Sequence, residues 1–235
     1  MLTFPTGLLN PSSVTKRLVG ASVTGGQSVS GQPQYGQTTG GGLWMIEFGD
    51  CALWTKAKFN TFEAIAAMAD NGATAFIVPI GDRLHQPFTD ADLATPVTDG
   101  DDSTFSDGTS WSTGSIGAVL TTTAALRSTE IVFSLTGSFV NPIGGEHFTI
   151  VHPTKGTRMY RIGKINSITV TGGVTYVDAQ IRPPLREAAA ASTVLDFENP
   201  RVTAQVVGDI YATLSLLRDG RGKVSFLETF RPTSE

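Results

Sequence analysis

The chain has 235 residues and a net charge of −4, and Asp, Glu, Lys and Arg make up only 16 % of it, against about 25 % in an ordinary soluble domain. Its single cysteine, Cys51, excludes an internal disulfide, a four-thiolate metal site and a cysteine-ligated iron–sulfur cluster, and it fits a reducing compartment. No stretch approaches the ~20 apolar residues of a membrane span, and Met1 to Asn10 has neither the basic region nor the apolar run of a secretion signal, so membrane insertion and signal-led export are not expected.

With 31 Thr and 18 Ser against 6 Lys, the composition favours strands over helices. Residues Gly20 to Gly42 are rich in Gly, Gln, Ser and Thr and too poor in apolar side chains to pack alone, which predicts a long loop or extended arm. Leu43 to Phe48 alternates, with Trp44, Ile46 and Phe48 on one side, and a second apolar run begins at Ala52; both read as strands. One short α-helix is expected over about residues 61–70. Asn60 is its expected cap, Glu63 completes a capping box, Phe62, Ile65, Met68 and Ala69 share a face, and Asn71-Gly72 ends it in a left-handed conformation. Ala73 to Ile80 follows as a strand.

Thr89 to Gly117 reads as a long loop with a turn at Ser106-Asp107-Gly108. It holds Asp90, Asp92, Asp99, Asp101, Asp102 and Asp107, with no Lys or Arg between Arg83 and Arg127. Residues 1–154 carry 6 basic and 13 acidic side chains, whereas residues 155–235 carry 11 and 8, so the two parts have opposite net charge. Ile131 to Leu135, His147 to Val151, Met159 to Ile168 and Val174 to Ile181 read as antiparallel strands, closed by Pro183-Pro184, which cannot donate to a ladder. Ile210, Ala212, Leu214 and Leu216, then Val224, Phe226 and Phe230 beyond Asp219-Gly220-Arg221-Gly222, form the apolar side of a hairpin. The fold class expected is mainly β, an antiparallel β-sandwich or barrel with one short helix. Residues 1–88 with 185–235 would make a β-sandwich carrying the helix, and residues 89–184 a β-rich insertion or small barrel.

The catalytic signatures each lack a necessary residue. Gly163-Lys164 is followed by Ile165 and Gly222-Lys223 by Val224, where a phosphate loop needs Ser or Thr; Ser22 and Ser28 lack the second Gly of a nucleophile elbow. His147 and His152, five apart along a strand, fall on opposite faces and cannot chelate one ion. His85 beside Gln86-Pro87 reads as a loop residue. Asp99, Asp101 and Ser103 begin like a calcium loop, but Thr104 stands where the turning Gly belongs. Cys51 among apolar neighbours reads as a buried thiol. Arg158, Arg161 and Lys164 share no strand face and have no interleaved aromatics, so specific nucleic-acid binding is not expected. No catalytic, cofactor-binding or metal residue is assigned, no cofactor is expected, and the chain is expected not to be an enzyme.

Several segments together resemble one family. These are Ser28-Val29-Ser30-Gly31 leading to Gly42-Leu43-Trp44; Phe105-Ser106-Asp107-Gly108; and Gly145-Glu146-His147-Phe148-Thr149-Ile150 with Tyr160-Arg161-Ile162. To them are added Pro183-Pro184-Leu185-Arg186-Glu187-Ala188 with Asp196-Phe197-Glu198-Asn199-Pro200, and Val224-Ser225-Phe226-Leu227-Glu228. In these the chain resembles the distal tail or baseplate proteins of long-tailed, non-contractile bacteriophages. The resemblance implies a virion structural protein, assembled in the host cytoplasm as a homohexameric ring at the tail tip. It implies as partners the tail tube protein, the tail-tip hub protein and fibres, and the tape measure protein as a further neighbour. Two other readings stay open. One is a carbohydrate-binding β-sandwich module, with Trp44, Trp54, Trp111 and the tyrosines as its platform; the other is a polysaccharide hydrolase, which needs two carboxylates across a cleft.

Overall fold

The computed structural model describes residues 2–80, 87, 116–137, 139–208, 210–214 and 220–230. The loop expected over Thr89 to Gly117, His85, Asp99, Asp101, Ser103, Trp111, Leu216 and Asp219 lie outside the described residues, apart from residues 116 and 117, whereas Gly220, Arg221 and Gly222, expected to form the turn of the C-terminal hairpin, are strand residues paired with Leu214, Thr213 and Ala212. The fold is mainly β, as the Thr-rich, Lys-poor composition implies.

The elements are β1 (Leu2–Thr3), α1 (Thr6–Leu9), β2 (Pro11–Val19), β3 (Ser22–Gln27), β4 (Pro33–Gln37), β5 (Leu43–Ala52), α2 (Lys56–Met68), β6 (Ala75–Pro79), β7 (Gly117–Leu120), β8 (Glu130–Thr136), β9 (His147–His152), β10 (Gly156–Thr171), β11 (Val174–Arg182), β12 (Arg201–Val206), β13 (Tyr211–Leu214) and β14 (Gly220–Glu228). A seven-stranded sheet runs β1-β6-β12-β14-β5-β2, with β13 also on β14, and a five-stranded sheet runs β7-β8-β11-β10-β9. Among the described residues only β1 on β6 is parallel, a pairing that α1 makes room for by returning the chain to β2.

Each sheet has its own aromatic centre. Phe4, Phe48, Phe76 and Phe226 interlock in the first, with Phe4 lying 5.1 Å from Phe48 and 5.0 Å from Phe226 between ring centres. Phe133, Phe148, Tyr160 and Phe197 do so in the second, where Phe148 stands 5.2 Å from Phe197 and 5.6 Å from Tyr160. Such offset and edge-on pairs add to the area they bury. Strand β10 joins the two layers: Tyr160 and Ile162 belong to the second core, while Met159 points into the first and its carbonyl accepts the Trp44 indole N–H at 2.7 Å.

Trp44, Ile46 and Phe48 are buried on one side of β5 as their alternation predicts. The two apolar runs expected there are one strand. Asp50, at φ 52°, introduces a bulge opposite β14, after which Cys51 and Ala52 are both buried.

Helix α2 begins before its expected start at Thr61, and its cap is Thr55, whose hydroxyl accepts the Lys58 N–H at 3.3 Å; Asn60 lies inside the helix and does not cap it. Nothing from Lys56 to Phe59 breaks a helix, so the turn propagates back to the first good capping residue. Phe62, Ile65 and Ala69 are buried as expected, but Met68 is exposed. The helix gives way at Met68 to a short 3-10 turn, Asp70–Gly72, in which Asn71 (φ 51°) and Gly72 (φ 91°) take the left-handed conformation expected of them. Phe62 presses on the sheet at Gly222, where a Cβ would come within 2.8 Å of its ring, so that glycine is a packing requirement. Replacing Thr55 with alanine should lower stability by about 1 kcal/mol. Asn60→Ala, at an interior helical position, should instead leave stability unchanged or slightly raised in urea unfolding.

Candidate assembly site

The Gly-rich stretch is neither a loop nor irregular. Strands β3 and β4 pair antiparallel, Ser22 opposite Gln37 and Thr24 opposite Tyr35, around a turn closed by Ser28 N–H to Gln32 O (2.8 Å) and Gly31 N–H to Ser28 O (2.8 Å). This hairpin continues the pairing of β2 with β5, Val19 opposite Leu43, beyond the end of the sheet. All residues of both strands are exposed, including Val23 and Tyr35, as is Val29 in the turn. At ~3.3 Å per residue the six residues of β3 project on the order of 20 Å. The backbone ladder, and no core of its own, holds the arm together.

The root of the arm is fixed by a buried ionic cluster. Glu228 ends β14 on the same side as Val224 and Phe226, so its carboxylate enters the protein with them. Its Oε2 accepts from Arg186 Nη2 at 3.0 Å and from the Trp44 backbone N–H at 3.1 Å, and its Oε1 lies 3.5 Å from Arg158 Nη1. The side chains of Glu228, Arg158 and Arg186 are 0 %, 2 % and 7 % exposed. Arg158 also donates to the carbonyls of Lys155 and Thr229, each at 2.6 Å, and Arg186 donates to the carbonyls of Gly40 and Gly42. Both guanidinium groups stack on the Phe230 ring, 4.6 and 5.1 Å from its centre. Phe230 therefore does not extend the apolar side of β14; it lies past the strand end, half exposed, as a platform for the two cations. Burial holds the Arg158 guanidinium below its ordinary value and Glu228 opposes that shift, yet an arginine keeps its charge at neutral pH.

The chain bends sharply where Arg186 grips it. Gly41 has φ 67°, and a Cβ there would overlap the Pro184 ring at 2.2 Å, so only glycine lets the arm leave the sheet against Pro183-Pro184. Two of the segments singled out in the sequence, Pro183 to Ala188 and Val224 to Glu228, thus meet at the arm root. Neither Arg186 nor Glu228 was assigned a role by sequence. The legible sign was a carboxylate on the apolar side of a strand in a chain with few charges; Arg158, on the same side of β10 as Tyr160 and Ile162, carries the same sign.

The other candidate residues are dispersed. His147 packs on Trp44 with ring centres 5.5 Å apart, whereas His152 lies 2.7 Å from the Tyr160 hydroxyl oxygen through Nε2, so the two imidazoles sit in different surroundings on opposite sides of β9. Among the described residues no three His, Cys, Asp or Glu side chains are grouped to hold a metal ion. Cys51 is buried, and that burial pushes its thiol up to about 11, which leaves it protonated and unreactive. Of the three cations in β10, Arg158 is buried in the cluster, Arg161 sits with its guanidinium 5.7 Å from the Trp44 ring, and Lys164 is exposed.

The Tyr160 hydroxyl oxygen accepts the Arg186 backbone N–H at 3.0 Å and shares a second hydrogen bond, of 2.7 Å, with His152 Nε2. Desolvation pushes His152 down to about 4, with Glu187 opposing and Arg158 reinforcing the shift. The unfolded chain therefore binds a proton near pH 6.5 that the folded chain refuses until about pH 4. The stability due to the neutral ring is complete above pH 6.5 and is lost as the pH falls toward 4. Melting temperatures across that interval should fall, and the fall should be shallower in His152→Gln; equal slopes would show that His152 does not titrate as described.

Two concavities flank these elements. One, of about 380 Å³, lies over β2, β5, β13 and β14 and is lined by Ser13, Glu47, Asp50, Tyr211, Arg221 and Lys223. The other, of about 270 Å³, opens at the arm root between Thr39, Arg127, Lys155, Arg186 and Phe230. No protein-family model and no curated protein matches the chain.

Proposed function

We propose that this chain is a virion structural protein, a subunit of a ring at the tail end of a long-tailed, non-contractile phage that joins the tail tube to the tail-tip hub and fibres. The observation that carries the proposal is the arm: a two-stranded hairpin tied at its root by Arg186, with every residue of its two strands exposed and, among the described residues, no core beneath it. A projecting ladder has unpaired edges that suit pairing with another chain. A cyclic ring needs such a heterologous contact, in which one patch meets a different patch on the next copy. The sparse charge of the chain fits a subunit surrounded by partners, since interface cores are depleted in charge. In this reading the ring holds six copies, works without catalysis or cofactor, and takes the tube, hub and tape measure proteins as neighbours. It binds no specific nucleic acid and does not enter a membrane.

The carbohydrate-binding reading draws on Tyr211, half exposed beside the cavity formed with Asp50 and Arg221. Trp44, one of its proposed platform residues, is instead fully buried in the first core. Native mass measurement of the purified chain with and without tail tube protein separates the readings. Six-fold assemblies support the ring, whereas a persistent monomer that binds a glycan array supports the module.

A further inference from the structure

We infer that the cavity at the arm root is an acceptor for carboxylates, and that its occupant is the aspartate-rich segment 90–107 of a neighbouring copy of this chain. The inference rests on the ring reading for the identity of the neighbour, but its chemistry stands on the cavity itself. Three cations line it: Arg127 and Lys155, both exposed, and Arg186, whose side chain is 7 % exposed. Arg158 lies directly behind them, stacked on the same Phe230 ring. Against these four stand two carboxylates among the described residues, and both are engaged: Glu228 holds Arg158, Arg186 and the Trp44 N–H, and Glu187 accepts the backbone N–H groups of Thr154 and Lys155. Arg186 Nε is buried without a hydrogen-bond partner among the described residues. The site therefore has cationic charge in excess and donors to spare, beside the hydroxyl-bearing Thr39 and an apolar rim of Leu126, Pro184 and Leu185.

The complementary charge is present in the same sequence. Asp90, Asp92, Asp99, Asp101, Asp102 and Asp107 lie in a stretch with no Lys or Arg to neutralise them, interspersed with Leu93, Val97 and Phe105 that suit an apolar rim. Guanidinium groups bind carboxylates in charge-assisted, directional hydrogen bonds, and such complementarity sets register and suppresses wrong partners. Because the acceptor and the acidic segment are different patches of one chain, their pairing between copies is heterologous, as a ring requires. Its place at the arm root would let the same neighbour engage the arm and the cavity.

The probe is a synthetic peptide of residues 88–109, and a second peptide with its six aspartates changed to asparagine. Each is titrated against the full chain carrying the same six Asp→Asn changes, so that the receptor's own segment does not compete. The acidic peptide should bind saturably, and at least about ten-fold more tightly than the asparagine peptide. Binding should weaken as salt rises from about 0.05 to about 0.5 M and be lost in the R127E/K155E receptor, whose changed residues are exposed and should leave its circular dichroism unaltered. In a second arm, copies carrying R127E/K155E and copies carrying D99K/D101K/D102K should each fail to form rings alone but form mixed rings together, which pairing within one copy could not produce. No saturable binding, equal binding of the two peptides, or binding indifferent to R127E/K155E would overturn the assignment. If the acidic peptide binds as described and no ring forms from the unmodified chain, the ring reading falls and the carboxylate site stands. If rings form from every charge variant, the assignment falls and the ring stands.

Discussion

Replacing Glu228 with alanine should destabilise the protein by about 3–5 kcal/mol, because it leaves two buried guanidinium groups without their counter-charge. The side chain also caps the Trp44 N–H, so an unsatisfied backbone donor is added to the same buried volume. Glu228→Gln should recover only part of the loss, since an amide oxygen can still accept from Trp44 but neutralises neither arginine. A triple change, Glu228→Leu with Arg158→Met and Arg186→Met, removes every charge at once and should restore much of the stability, as apolar replacements of buried ion groups commonly do. It should not restore the arm, because a thioether in place of the Arg186 guanidinium has no N–H to hold the carbonyls of Gly40 and Gly42. Urea unfolding measures the first effect, and hydrogen exchange at residues 38–44 measures the second. A loss below about 1 kcal/mol for Glu228→Ala would place this cluster with exposed ion pairs of little consequence.

Much of the fold was readable because its strands obey a period of two against a buried face. Trp44, Ile46 and Phe48, and later Val224 and Phe226, mark their strands without reference to anything distant. Strand β2 is an edge: Val14 and Leu18 pack against the core, but Lys16 stands between them on the same side, so polarity shows no period of two. Strand β12 carries the same period, with Val202, Ala204 and Val206 buried on one side and Arg201, Thr203 and Gln205 on the other, although no strand is expected there; Thr203 is buried as well. The arm has no apolar periodicity at all; its ladder follows from the pairing of β2 with β5 that precedes it, a long-range fact that composition cannot convey. The start of α2 was misplaced because Asn60 and Glu63 imitate a capping box inside a helix already begun at Thr55. At the candidate site, the inward parity of Glu228 and Arg158 could be read from their strands. That Arg186 closes on Gly40 and Gly42 could not, because residues separated by 146 and 144 positions meet only through the tertiary fold.

Shortening the arm should abolish assembly while sparing the subunit. Replacing residues 25–34 with Asn-Gly keeps Thr24 opposite Tyr35 across a two-residue turn suited to strand twist, and it leaves Thr38, Gly41 and the Arg186 contacts untouched. Every residue removed is exposed or nearly so, so unfolding free energy should stay within about 0.5 kcal/mol of the parent and circular dichroism should be unchanged. Ring formation should fall below detection, and particles carrying the shortened chain should have defective tail ends. Normal rings from the shortened chain would remove the arm from the interface and leave the edge of β2 or the cavity over β13 and β14 as the contact.

The most direct test of the central claim is cryo-electron microscopy of intact particles, averaged about the tail axis at the end of the tube, with the density compared to this fold. The account predicts six copies in a closed ring, each recognisable by its seven- and five-stranded sheets, with every hairpin arm lying on the adjacent copy. Particles in which the protein is absent from the tail end, or sits there as isolated copies with the arms touching no neighbour, would contradict it.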